Sequence, residues 1–178
     1  MSQQSQLTTQ PQNISLAQST QYTLIFPQLP FLKYFLASAI LPSVSNTPAP
    51  QGNPHAQIWR HSDHLNYDPI NLTALCDEDL KTWQETYEWM KGLTTPTAYS
   101  EYIKNKHMIN TDFPLKTLYV DGIMTINTNA NNPLMQIKFA NCHPTYLGML
   151  MYNNADDAKN TLTFDLTFQY DYFEIQRL

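Results

Sequence analysis

Between residues 161 and 174, large apolar and polar side chains alternate almost without error. Leu162, Phe164, Leu166, Phe168, Tyr170 and Tyr172 take the even positions, while Thr161, Thr163, Asp165, Thr167, Gln169 and Asp171 take the odd ones. Side chains of an extended chain point to opposite sides at period two, so the pattern describes a strand with one apolar and one polar face. Aromatic residues suit a half-buried pleated surface, and an antiparallel sheet covered on one side accommodates it. Leu162, Phe164, Leu166, Phe168 and Tyr170 are therefore expected in the core. The polar face would meet water in a monomer; in a ring or tube it would line a lumen or meet a neighbour.

Residues 67–93 read as a strand running into a capped helix. Asp77 is placed to accept hydrogen bonds from the free amides of the first turn, and Glu78 and Asp79 add negative charge at the positive end of the helix dipole. Leu80, Trp83, Tyr87 and Met90 recur at spacings of three and four, which predicts an apolar stripe laid across a sheet, with Trp89 flanking it. Lys91 suits the negative end, and Gly92 could close the helix in a left-handed conformation. Capping accounts for the three acids without a metal ion, since no second oxygen-ligand cluster with calcium-loop spacing accompanies them.

The rest of the chain supplies strands and irregular segments. Residues 1–19, rich in Gln, Ser and Thr, are expected to form a flexible arm, and residues 20–178 one domain. Strands are expected at 22–26 and 33–40, closed by Pro27 and Pro42, and at 57–60 and 65–75. Residues 43–54 carry Pro48, Pro50, Gly52 and Pro54 and read as a loop. Residues 94–113 are again irregular, with a possible short helix at 99–106. A meander follows: strands at 118–128, 134–139 around Phe139, and 147–152, the first two joined by an Asn-rich turn suited to positive φ. The sum is a mainly β protein, an antiparallel β-sandwich or small β-barrel with one flanking α-helix.

Composition narrows the function. The net charge is −5 with only ten Lys and Arg, too few basic groups for a protein that grips nucleic acid by displacing phosphate counterions. Four glycines leave no phosphate-cradling loop. The opening residues lack the basic start and apolar core of a signal peptide, and no run of eighteen apolar residues occurs. Cys76 and Cys142 read as small buried hydrophobes rather than a disulfide. His55, His61, Asp63 and His64 match no zinc-ligand spacing, and Ser62 beside them has no strained turn or oxyanion hole. No catalytic residue, metal, cofactor or membrane span is expected. The loops instead offer contact residues: Pro48, Pro50, Ile58, Trp59, His61, His64, Tyr99 and Tyr102.

Four segments in order along the chain resemble contractile-tail bacteriophage tail tube proteins, of the major subunit or baseplate tube-initiator type. They are YTLIFPQLPFLKYFLASAILP at 22–42, ending in Leu41 and Pro42; the strand-then-helix segment 67–93; IKFANCHPTYLGML at 137–150; and the closing strand with Tyr170 and Tyr172. The resemblance covers roughly four fifths of the chain and rests on order and spacing, and residues 132–154 read closest to the initiator type. It implies a structural virion protein made in the host cytoplasm. Copies would form hexameric rings that stack into, start or end the inner tube. The lumen would pass DNA without specific binding, and sheath, baseplate or neck proteins would be partners. A bacterial secretion tube is a variant. A different class remains open: a monomeric or dimeric β-sandwich binding module using the Trp59 and Tyr99 loops, distinguishable by its size in solution.

Overall fold

A computed structural model describes residues 14–94, 119–153 and 161–178. Its main sheet is a continuous antiparallel path. In spatial order it runs β1 (Tyr22–Ile25), β8 (Val120–Asn127), β9 (Pro133–Leu147), β10 (Thr163–Gln169), β7 (Ile70–Leu75) and β2 (Leu36–Ile40), with β11 (Phe173–Arg177) also on β9. Two small pairs lie apart, β3 (Val44–Ser45) with β6 (Asn66–Tyr67) and β4 (Ala49–Gly52) with β5 (Gln57–Arg60). Two helices accompany them, α1 (Leu32–Phe35) and α2 (Lys81–Leu93). The mainly β, antiparallel architecture is the one expected, with a second short helix added.

β9 gives the molecule its shape. Its first half pairs with β8 and β11, while His143 to Leu147 pair with β10, so one strand belongs to two sheets. At the changeover Asn141 has φ 56°. A left-handed residue inside a strand re-aims it, as bulges do, and Asn accepts that conformation better than most side chains. Side-chain bonds hold the corner: Asn141 Nδ2 donates to Asp171 Oδ2 at 2.5 Å and its backbone N–H to Asp121 Oδ1 at 3.2 Å.

Several expected boundaries are corrected here. The closing segment 161–174 is two strands, because residues 170–172 turn the same corner and carry the chain from β10 into β11; Tyr172 is consequently exposed while Tyr170 is buried. The separate strands expected at 134–139 and 147–152 are replaced by β9, with residues 148–153 irregular. Pro144 lies inside β9 where the register with β10 shifts, and a bulge accommodates a residue without an amide hydrogen. Residues 33–40 begin as a helical turn before β2. The 43–54 loop contains β3 and β4, and the 65–75 strand is broken at Asp68 and Pro69 into β6 and β7.

The core lies between the two sheets. Ile70, Leu72 and Ala74 of β7 and Phe164, Leu166 and Phe168 of β10 face Leu24, Phe26, Ile137 and Phe139. Phe26 stacks on Phe168 with centroids 4.5 Å apart. Tyr67, Phe139, Tyr170 and Phe173 form an edge-to-face cluster near the corner. Gly122 of β8 is required here, since a Cβ would stand 2.6 Å from Phe26 Cε1.

Candidate functional site

Asp77 and α2 fit together as local chemistry dictates. Asp77 Oδ2 accepts from Lys81 N at 2.9 Å and Oδ1 from Thr82 N at 3.1 Å, spanning the first two amides of the helix. Burial pushes its carboxyl up, but the amides of Thr82 and Lys81 outweigh it and hold the group below the usual range. Glu78 and Asp79 precede the helix in the turn and are exposed; Asp79 pairs with Lys81 at 2.6 Å.

The buried face of α2 is only partly the stripe that spacing suggested, with Trp83 and the flanking Trp89 packed against the core. Leu80 stands before the helix at φ 56° and is only half-buried, as are Trp83 and Met90, and Tyr87 is 49 % exposed. Thr82 and Thr86 are the wholly buried residues, at 0 % exposure. Their small side chains let the helix backbone approach β9 closely, and Thr86 Oγ1 returns a bond to Thr82 O at 2.9 Å. Trp89 reaches Phe168 at 5.9 Å. Gly92 does not take a positive φ; the helix runs on to Leu93 and ends where Thr94 turns extended, its Oγ1 donating to Lys91 O.

This leaves Tyr87 on the outer flank of α2, while Trp83 and Trp89 pack, half-buried, against the core. Trp83 and Tyr87 stack with centroids 5.7 Å apart and planes 5° from parallel. Trp83 Nε1 donates to Gly148 O at 3.3 Å, which ties the stack to the segment after β9, where Met149, Met151 and Tyr152 are exposed. Sequence reasoning missed this surface because the run Leu147–Tyr152 reads as strand.

A second exposed surface is the β4–β5 hairpin. Every residue from 43 to 61 is exposed, so Pro48, Pro50, Ile58, Trp59 and His61 stand together on a projection, with His64 beyond its base. Trp59 faces Pro50 across the hairpin, and Ile58 faces Gln51. Arg60 Nε donates to Gln51 Oε1 at 2.9 Å, and the base is held by Ser62 N to Asn46 Oδ1 at 3.0 Å and by Ser43 Oγ to Asp68. Tyr99 and Tyr102, the other contact residues expected, lie outside the described residues.

The polar face of β10 forms a ladder with its neighbours: Thr73 Oγ1 donates to Asp165 Oδ1 at 2.9 Å and Thr167 Oγ1 to Asn71 Oδ1 at 3.0 Å. At the corner, a depression of about 230 Å³ is lined by Asp121, Lys138, Ala140, Asn141, Tyr172 and Glu174. Lys138 lies 2.9 Å from Asp121 and, with the Asn141 amide, keeps that carboxyl below its ordinary range despite burial; an acid so paired is poorly placed to move protons. No group of three His, Cys, Asp or Glu close enough to hold a metal occurs among the described residues. Both cysteines are free thiols, Cys142 fully buried and Cys76 half-buried.

Comparison with known proteins places this geometry. Fold and sequence both align the chain with the contractile-tail tube type of protein. It is 25 % identical over 138 residues to the tail tube terminator protein of Enterobacteria phage T4, covering 77 % of this chain and 71 % of the relative. Its fold matches the tube-terminating cap of the anti-feeding prophage, with a TM-score of 0.65 at 11 % identity over 97 % of this chain and 99 % of that one. It also matches the sheath/tube terminator of the PVC extracellular contractile injection system, with a TM-score of 0.61 at 10 % identity over 91 % and 97 %. No protein-family profile matches the sequence. The sequence relative and both solved structures are described as terminating a tube, one of the places the sequence reading left open.

Proposed function

We propose that this chain ends the inner tube of a contractile tail or tail-derived particle, as a ring of identical copies, six by analogy with the tube type, seated on the last ring of the tube. The sequence relation to a tail tube terminator over most of the chain carries the reading. The sheet edges support it. Among the described residues β1, β2 and β11 are each paired on one side only, and an open edge is sticky unless a neighbour or ring closure satisfies it. The ladder of Thr73, Asp165, Thr167 and Asn71, without a Lys or Arg, would suit a lumen that passes DNA without holding it. Sheath or neck proteins would meet the outside, and no catalytic step is assigned.

The test is negative-stain electron microscopy and light scattering of the purified chain, alone and with preformed tubes of the corresponding tube protein. Rings with a central channel that bind tube ends are expected. A chain that stays monomeric at every concentration and binds no tube end would remove the reading and favour the binding-module alternative.

A further inference from the structure

The hairpin and the outer flank of α2 are two exposed surfaces among the described residues. A two-stranded hairpin with neither face covered is marginal in water, yet β4–β5 carries Ile58 and Trp59 in the open. Within residues 43–62 the one formally charged side chain is Arg60. Because residues alternate across a strand, Ile58 and Arg60 share one face of the hairpin and Trp59 takes the other.

The flank of α2 is opposite in charge and alike in apolar character. Residues 77–93 hold five carboxylates against two lysines, a net of −3. Glu88 is exposed, accepts from Gln84 Nε2 of its own helix at 2.9 Å, and follows the exposed Tyr87 directly. Tyr87, Met149 and Met151, beside the half-buried Trp83 on which Tyr87 stacks, then offer aromatic and thioether surface of the kind enriched in interface cores.

We infer that the β4–β5 hairpin of one copy docks on the α2 flank of a second copy. Ile58 lies against the Trp83–Tyr87 stack and the Met149 segment, and Arg60 lies opposite Glu88. The contact joins two different surfaces, so repetition leads to a ring or a stack rather than a closed pair. The inference rests on the self-assembling reading above and adds the surface that receives the hairpin.

A charge exchange in the full chain tests it, read as the association constant by sedimentation over a concentration range, with folding checked by circular dichroism. R60E and E88R should each weaken association about tenfold, and the double variant should recover most of the loss. Single variants that associate like the parent overturn the docking and leave ring assembly standing. So do single variants that weaken without mutual rescue. A parent chain that never associates overturns the docking, and overturns the ring reading too if it also binds no tube end.

Discussion

Burial pushes the thiol of Cys142 up to about 12, so at neutral pH it is a protonated core group rather than a nucleophile. A thiol reagent should therefore label at most one cysteine in the native protein, Cys76, and both in denaturant; rapid native labelling of Cys142 would contradict its burial. Asp77 supports a second prediction. D77A should lower stability by about 1 kcal/mol in urea unfolding at pH 7. Its carboxyl is depressed in the folded state, so the stabilisation is complete above the unfolded value of about 4 and is lost as pH falls through the folded value. The gap between D77A and the parent should close below about pH 4. Asp77 was legible in the sequence because capping is a matter of adjacent residues. Asn141 was not, because nothing local distinguishes it from any other Asn; its positive φ arises where one strand is shared between distant partners.

At the scale of elements, strand alternation was read correctly from Phe164 to Tyr170, where the period of the pleat and the covered face coincide. The helix was misread at Tyr87, because hydrophobic spacing assumes that the largest residues face inward. Close approach to β9 puts Thr82 and Thr86 wholly inside and leaves Tyr87 outside, with Trp83 and Trp89 half-buried against the core. The consequence is measurable: T86L should destabilise by about 1–3 kcal/mol through overpacking. Y87A should cost about 1 kcal/mol or less, the worth of its stack on Trp83. Thermal unfolding of the two variants orders them, and the opposite order would restore Tyr87 to the core. The corner at 170–172 escaped notice because Tyr172 continues the alternation although its backbone has already turned toward the second sheet.

For the whole molecule, what remained illegible was long-range: which halves of which strands pair, and what an assembly would cover. The corner is where this is testable. Both N141G and N141V lose the bond to Asp171, but glycine accepts positive φ, so N141V should be less stable than N141G by about 1–2 kcal/mol; equal stabilities would mean that the corner does not need its left-handed residue. The continuity of β9 carries a mechanical meaning as well. Two sheets held only by packed side chains can be sheared apart, but here tension in one passes to the other along covalent backbone. A subunit at the end of a tube under load would yield as one body.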